Sequence, residues 1–392
     1  MKTLDERLGI IKTKLNKEEP ITIMIIGLGS VGLYLLDYLV SASARLPALR
    51  IVVAGRNESR MESDVNIVRI ASLIREQNRT VIQIDSTCEL DNSDKVVLCI
   101  ARHKPDFIVN TSRVYSGLKY GTISWHNLRA YGIWSPLAIR YIRTIMAACD
   151  VVDTNAVVIN TSYSDVVIPW LKSAGKAFPD FGSGNLNHLV PRIKFAAADM
   201  ANITDYWNIE VRIVTAHFHD VVISKEGHTE NTNPLLSVCY KGMPLDLDTK
   251  ELYSRCKIDM PVDAKRNMMN ASSNFDIICS LIKALMNEES RIFHSPGAFG
   301  YVGGYPVSID GIRHKAYIDE SVFKLEDMVV VNKKSIAFDG VESVEHGVLT
   351  YTEALREKTR KVFGVELPKQ VTFDAIDETT AFIMEKIITP NT

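Results

Sequence analysis

Residues 21–40 read ITIMIIGLGSVGLYLLDYLV. The first six residues are apolar apart from one threonine, which is typical of a buried strand. Three glycines follow in the spacing GxGxxG, and an amphipathic stretch follows them. In this setting Gly27 permits a tight turn, Gly29 lets a pyrophosphate approach the backbone, and Gly32 lets the helix pack on the strand. The segment therefore predicts a strand–turn–helix unit that binds a dinucleotide. The alternative is a glycine-rich turn that binds no nucleotide.

The same stretch is nearly long and apolar enough to cross a membrane. The glycines interrupt it at a fixed spacing, however, and Asp37 lies near its end. A buried strand that turns into a helix explains both features, so we predict no membrane segment.

Short apolar runs alternate with amphipathic stretches from residue 21 to about residue 165, which predicts a doubly wound parallel sheet covered by helices on both faces. The predicted strands are Ile21–Ile26, Arg50–Ala54, Thr80–Ile84, Asp106–Asn110 and Ala156–Asn160. The predicted helices are Val31–Ala44, Met61–Gln77, Lys95–Arg102 and Pro136–Cys149.

The rest of the chain predicts two further parts: an N-terminal arm at residues 1–20 and a mixed α+β domain at residues 166–392. The arm carries an apolar stripe that predicts either a surface helix or a subunit contact: Leu4, Leu8, Ile11 and Leu15. The second domain begins with a helical stretch around Arg192. Its later predicted elements are the strand Asn208–Thr215, the helix Asn270–Met286, the strand Val302–Ile309, a strand near Met328–Val331 and a helix containing Ala354–Val362.

Composition limits the class of protein. A chain of 392 residues with a formal net charge of -2 has no basic excess for binding nucleic acid. The six cysteines are scattered without CxxC pairing. They are typical of reduced structural thiols. We expect a cytoplasmic protein.

The residues after the second predicted strand bear on the choice of dinucleotide. An NAD site usually has an acidic residue there for the ribose hydroxyls. This chain has Gly55 followed by Arg56, whose guanidinium can pair with a 2′-phosphate, and Arg60 adds a second charge. We therefore expect NADP(H), with NAD(H) possible if Glu58 meets the ribose instead. The expected cofactor-binding residues are Gly27, Gly29, Ser30, Val31, Gly32, Arg56, Asn57, Arg60, Thr111 and Asn160.

Five downstream segments, in order, resemble the lactate/malate dehydrogenase superfamily between about residues 21 and 310. They begin at Phe107 (FIVNTSR), Val157 (VVINTS), Gly182 (GSGNLNHLVPR), Val214 (VTAHFHD) and Gly297 (GAFG, through Tyr305-Pro-Val-Ser308). The resemblance implies a nicotinamide-binding domain followed by a substrate domain. It also implies a homodimer or homotetramer and a histidine that exchanges a proton with the substrate.

The resemblance assigns the catalytic proton to His217, with His219 as a substitute on the same face of one strand. It gives Asn160 contacts to both nicotinamide and substrate. Two positions depart from the family: Asn187 stands where an aspartate holds the histidine, and Val190 stands where an arginine clamps the substrate carboxylate. Arg192 lies close by as a candidate. For the loop that polarises the substrate the candidates are Arg113, Lys119 and Arg129.

A second resemblance is to the family 4 glycosidases, which share the fold and use NAD and a divalent metal. It rests on Leu186-Asn187-His188-Leu189. Those enzymes need a cysteine ligand, and no cysteine lies within residues 165–190. We therefore expect no metal.

Taken together, the sequence predicts an NADP(H)-dependent oxidoreductase. It would move hydride to or from a small carbonyl, hydroxy, imine or amine substrate, with His217, Asn187 and His219 in the catalytic set and Arg113, Asn160 and Arg192 near the substrate. The alternative is a catalytically silent dinucleotide-binding sensor or assembly subunit.

Overall fold

The computed structural model describes residues 1–75, 80–117, 121 and 123–391. A six-stranded sheet forms its centre, in the order β3-β2-β1-β4-β5-β6, and every neighbouring pair is parallel. The strands are β1 Ile21–Ile26, β2 Leu49–Ala54, β3 Val81–Asp85, β4 Phe107–Asn110, β5 Val157–Asn160 and β6 Phe181–Gly182. The predicted doubly wound sheet is confirmed. It extends past the expected boundary at residue 165, since β6 supplies the sixth strand.

Helices cover this sheet because the strands are buried on both faces. They are α1 Leu4–Asn16, α2 Ser30–Ser41, α3 Glu58–Arg75, α4 Ser93–His103, α5 Ser135–Val152 and α6 Ser164–Ser173. In α1, Leu8 and Ile11 are fully buried in the core of the chain. The apolar stripe of the arm thus packs internally, and the expected homo-oligomer stays a prediction.

The second domain is a mixture of helices and short antiparallel sheets, as predicted. In its first part lie α7 Asn185–Met200, β7 Ile209–Val214, α8 His217–Glu226, β8 Leu235–Tyr240, β9 Met243–Pro244 and α9 Thr249–Arg255. The middle part has α10 Asn267–Asn287, β10 Ser290–Pro296, β11 Gly304–Asp310 and β12 Lys315–Ile318. The last part has α11 Leu325–Phe338, β13 Val341–Glu345, β14 Val348–Tyr351, α12 Glu353–Phe363, β15 Gln370–Thr372 and α13 Ile376–Ile383.

The strand predicted near Met328–Val331 is wrong, because those residues lie inside α11. The run Met328-Val-Val-Val is uniformly apolar, so its sequence does not distinguish a buried strand from a helix. The buried side chains follow helical spacing: Met328, Asn332, Ser335 and Ile336. This correction matters for the site, since the residue that follows α11 enters it.

No helix within the described ranges combines the length and apolarity that a membrane crossing requires. All six cysteines are free thiols, and five of them are buried.

Candidate active site

A cavity of about 1270 Å³ runs along the carboxyl edge of the parallel sheet, from the glycine turn after β1 to the start of α8. In doubly wound folds this edge is where ligands bind. Eleven of the residues predicted for the site line the cavity: Gly27, Gly29, Ser30, Val31, Arg56, Asn57, Arg60, Thr111, Arg113, Arg192 and His217. Asn160, Asn187, His219 and Gly32 are not among the lining residues.

The glycine turn has the shape that a pyrophosphate needs. Gly27 has a φ of +96°, and a Cβ placed there would lie 2.9 Å from Cα of Ser112. At Gly29 a Cβ would have no atom within 4 Å, so that side of the backbone opens into free space. At Gly32 a Cβ would lie 2.3 Å from the carbonyl oxygen of Gly27, which explains its packing role.

The helix that follows this turn leaves its first N–H groups available. Gly29 caps α2 and offers no side-chain acceptor for them. Unsatisfied N–H groups and the positive end of the helix dipole favour an anion. The turn and the start of α2 therefore fit the phosphates of a dinucleotide.

The loop after β2 presents Arg56 at one end of the cavity. Arg56 is exposed, and its guanidinium forms no hydrogen bond or ion pair with any residue that the structure describes. Glu58, the alternative ribose ligand, instead accepts a hydrogen bond of 2.9 Å from the hydroxyl of Ser86. Asn57 caps α3 through a 3.1 Å bond from N–H of Arg60. The capping bond between Arg60 and Asn57 orders the loop without using Arg56. The guanidinium of Arg56 is therefore available to a ligand.

His217 lies at the opposite end of the cavity. Its Nδ1 is 2.8 Å from Oδ2 of Asp339, and its backbone N–H donates to Oδ1 of Asp165 at 3.0 Å. The rings of Tyr131 and Tyr163 pack edge-on against the imidazole, with centroids 4.5 and 5.2 Å away. Because Nδ1 is occupied by Asp339, Nε2 is the nitrogen available for proton transfer.

Asp339 is a candidate site residue that the sequence did not reveal. It follows α11 directly and is 0% exposed. Its carboxylate also accepts a 3.0 Å bond from N–H of Tyr131 and a 2.9 Å bond from the hydroxyl of Tyr163. These donors fix the carboxylate against the imidazole. With α11 predicted as a strand, nothing marked Asp339 as the residue at a helix end beside the site.

Two opposing effects set the pKa of His217. Burial lowers it by disfavouring the charged imidazolium, whereas the Asp339 carboxylate raises it through charge and a hydrogen bond, and Asp165 and Asp220 add smaller contributions. The acids outweigh burial, and the pKa of His217 lies above its ordinary value of 6.5. The protonated form is therefore available near neutral pH.

Two buried acids line the cavity beside His217. Asp165 is 4% exposed and Asp220 is 3% exposed. Burial raises the pKa of Asp165 to about 6 and that of Asp220 to about 7, although the nearby positive charge of His217 acts in the opposite direction. Oδ1 of Asp220 is buried without a hydrogen-bond partner among the described residues.

Arginine and lysine side chains line the same end of the cavity. Arg192 donates to the carbonyl oxygens of Cys256 (3.0 Å) and Ile258 (3.3 Å), so it mainly anchors the loop that follows α9. Arg266, just before α10, is half-buried; its backbone N–H donates to the carbonyl oxygen of Asp263, and its guanidinium forms no hydrogen bond or ion pair with the residues described here. Lys225 and Lys257 complete this positive group.

Comparison with solved structures identifies the fold. Malate dehydrogenase from Cryptosporidium parvum superposes with a TM-score of 0.54 over 88% of this chain and 100% of its own, at 13% identity. Lactate dehydrogenase from the same organism, complexed with lactic acid and nicotinamide adenine dinucleotide, gives 0.54 over 81% and 95%, at 13% identity. Lactate dehydrogenase from Eimeria maxima, solved with NADH and oxamate, gives 0.52 over 81% and 92%, at 13% identity.

This chain has the lactate/malate dehydrogenase fold. No protein-family profile matches its sequence, and no curated protein matches it significantly. At 13% identity the likeness establishes architecture, so residue roles have to come from the cavity itself.

Within the dehydrogenase fold, the expected placement of the two histidines needs correction. His217 and His219 do not share a strand, because β7 ends at Val214 and α8 begins at His217. Residues two apart on a helix point in nearly opposite directions. His219 accordingly faces away from the cavity, where Nδ1 contacts Oγ of Ser335 at 2.6 Å and Nε2 contacts Oγ1 of Thr232 at 2.8 Å.

The asparagines also differ from expectation. His217 is held by Asp339 and not by Asn187, whose Oδ1 is buried without a hydrogen-bond partner in the described part of the chain. Asn160 is 0% exposed and accepts a 2.9 Å bond from Asn110, so the pair joins the ends of β4 and β5 beneath the cavity. Nδ2 of Asn160 donates to the carbonyl oxygen of Ser162 at 2.9 Å.

The candidates for the substrate-polarising loop are distributed as follows. Arg113 is exposed and lines the cavity. Arg129 is engaged elsewhere, in ion pairs with Glu226 and Glu230. Lys119 lies outside the described residues.

Two groups of possible metal ligands occur among the described residues: Asp85, Cys99 and His103, and Glu226, His228 and Glu230. In the first group the Asp85 carboxylate already accepts bonds from His103 at 2.8 Å and Arg102 at 2.9 Å. In the second, the charges of the two glutamates are met by Arg129. Neither group includes His217 or His188.

Proposed function

We propose that this protein is a nicotinamide-dinucleotide-dependent oxidoreductase with His217 as its acid/base residue and a preference for NADP(H). The observation that carries the proposal is the placement of two features in one cavity: the open glycine turn at Gly29 and the His217–Asp339 pair. A bound dinucleotide would supply a hydride donor or acceptor. The substrate is a small carbonyl, hydroxy, imine or amine compound.

The cofactor part of the proposal rests on the fit of the glycine turn. Gly27 and Gly29 with the first N–H groups of α2 would hold the pyrophosphate, and Thr111 lines the cavity beside them. The unpaired guanidinium of Arg56 supports binding of a 2′-phosphate, and Glu58, the competing ribose ligand, already accepts a hydrogen bond from Ser86.

The proton-transfer part rests on the imidazole. Asp339 accepts a hydrogen bond from Nδ1–H and stabilises the imidazolium, so that Nε2 can give a proton to a substrate oxygen or nitrogen or take one from it. The alternative of a silent binding protein was suggested by the missing aspartate at Asn187. Asp339 supplies that carboxylate from another part of the chain, which favours the enzyme.

The test begins with binding. NADPH and NADH are titrated into the protein while intrinsic fluorescence is followed, with Arg56→Ala, Gly29→Val and the exposed-site control Arg313→Ala. We expect Arg56→Ala to weaken NADPH binding by about tenfold or more, the size of a lost charge-assisted hydrogen bond, and to leave NADH unchanged. Gly29→Val should abolish both without unfolding the chain, because a side chain there has free space and φ is -85°. Binding of neither dinucleotide would reject the proposal.

The second measurement is turnover, followed at 340 nm over a panel of carbonyl and imine substrates. His217→Ala should lose about a hundredfold or more in kcat, the usual scale for removing an acid/base group, while keeping its NADPH affinity. Turnover that is unchanged in His217→Ala would reject His217 as the acid/base residue, and dinucleotide binding without turnover in either protein would favour the silent binding protein.

A further inference from the structure

The His217 end of the cavity contains charged groups that the protein itself leaves unpaired. Only 3% of Asp220 is exposed, so the side chain is more than nine-tenths buried. Its Oδ1 has no hydrogen-bond donor among the described residues. Arg192 is also 3% exposed, and its Nε has no hydrogen-bond acceptor among the described residues. A buried polar atom without a partner costs free energy unless a ligand or water satisfies it. Both side chains line the cavity.

Asp165 places a second carboxylate on the same side of His217. Its Oδ1 accepts the backbone N–H of His217, and the charge of Asp165 raises the pKa of Asp220. Without a ligand the two carboxyl groups resist ionisation, since burial raises the pKa of both. A cationic group of a ligand beside Asp220 would favour its charged form further, in the same direction as His217, Arg192 and Arg266.

A 2-hydroxy acid does not provide that cation. It would bring one hydroxyl and one more negative charge to a wall that already holds Asp165 and Asp220. Positive charge also acts close to Asp220, because the guanidinium groups of Arg192 and Arg266 both lower its pKa. The site therefore offers a ligand a carboxylate and a guanidinium in one region of the cavity.

We propose that the substrate of this site carries a cationic amine, received by Asp220 and Asp165 beside His217, and an anionic group that meets Arg266. The inference rests on the proposed function and selects amino compounds from the substrate classes left open there. Asp220 contacts the ammonium directly, and Asp165 links that contact to the backbone of His217.

The experiment compares matched ligands that differ only in amine against hydroxyl. Alanine and lactate, aspartate and malate, and phenylalanine and phenyllactate are titrated by calorimetry, with and without saturating NADPH. We expect the amino member of at least one pair to bind about tenfold or more tightly than its hydroxy partner, the scale of one charge-assisted hydrogen bond. Asp220→Asn should remove that preference, whereas Asp259→Asn, an exposed acid on the same cavity, should keep it.

Other outcomes overturn the inference. Hydroxy acids that bind as tightly as amino acids, an amine preference that survives in Asp220→Asn, or no binding by any amino member would each reject it. Asp165→Asn provides a second variant if Asp220→Asn does not fold, as judged by circular dichroism. NADPH titration of the same samples separates the two proposals: retained NADPH binding without amine selectivity rejects this inference alone.

Discussion

At the scale of single residues, the proposed proton transfer depends on one carboxylate. Asp339 is completely buried, and its negative charge is stabilised by donors from Tyr131, Tyr163 and His217. A carboxylate held in this way can fix the tautomer of the imidazole and stabilise its protonated form. Burial alone would hold the pKa of His217 down.

We predict that Asp339→Asn lowers the pKa of His217 and reduces kcat by about a hundredfold. Its amide keeps the volume of the side chain but loses the charge that opposes desolvation. In the reductive direction, which needs protonated His217, activity falls as pH rises through this pKa. The falling limb of the kcat–pH profile should therefore move to lower pH in the variant.

The exposed acid Asp246 provides the control, since Asp246→Asn removes a charge that contacts nothing in the site. Its pH profile should match that of the wild type. An Asp339→Asn profile with an unmoved limb would mean that the carboxylate does not set the proton affinity of His217, whatever happens to kcat.

The sequence predicted one half of this pair and missed the other. His217 was selected because its segment resembles a known pattern, and that pattern is local. Asp339 is 122 residues away along the chain. Its role depends on where α11 ends against the first domain, which no local pattern encodes. The same limit explains Asp165 and Asp220, whose burial beside His217 is a product of tertiary packing.

At the scale of elements, a close contact with Gly132 positions Asp339 at the end of α11. The N–H of Gly132 donates to the backbone carbonyl of Asp339 at 2.7 Å. A Cβ at Gly132 would lie 2.5 Å from that same oxygen and 2.7 Å from Cγ2 of Val341. The backbone at Asp339 can approach so closely only because residue 132 has no side chain.

We predict that Gly132→Ala displaces Asp339 and reduces kcat by about tenfold, with the kcat–pH limb moved in the same direction as in Asp339→Asn. Overpacking should also cost about 1–3 kcal/mol of unfolding free energy. NADPH affinity should be unchanged, since the glycine turn after β1 is at the other end of the cavity. Kinetics and urea denaturation measure these effects.

Gly9→Ala in α1 is the matched control, because its new Cβ would meet nothing closer than Nδ1 of His314 at 3.9 Å. It should leave kcat and the pH profile unaltered. A Gly132→Ala enzyme that is destabilised but titrates like the wild type would separate packing at this glycine from the position of Asp339.

Elements were predictable where one pattern excluded the alternatives. Strand β1 was predicted at its observed bounds, because an apolar run followed by GxGxxG allows only a strand and a helix start. Helix α11 was not, because four consecutive apolar residues fit either structure. The predicted strand Asn208–Thr215 agrees with β7 to within one residue at each end, but the alternating pattern from Val214 to His219 also placed His217 and His219 on a strand, where α8 begins instead.

At the scale of the whole molecule, the N-terminal helix fastens the edge of the sheet opposite the cavity. Arg7 is 5% exposed and donates to Asp180 at 2.7 and 2.5 Å and to the carbonyl oxygen of Ala156 at 2.6 Å. Asp180 in turn accepts the N–H of Val158 at 2.9 Å. One guanidinium thus joins α1, β5 and the segment that enters β6.

We predict that Arg7→Ala lowers the free energy of unfolding by about 3–5 kcal/mol, the scale for breaking a buried ion pair from one side, because Asp180 would be left charged and buried. The cavity lies at the other edge of the sheet, so NADPH affinity and kcat measured on folded protein should not change. Urea denaturation and NADPH titration test this together, with Lys17→Ala, an exposed residue just after α1, as the control. A variant that keeps its stability would show that α1 does not fasten the sheet, and one that loses NADPH affinity while folded would show that the two edges are coupled.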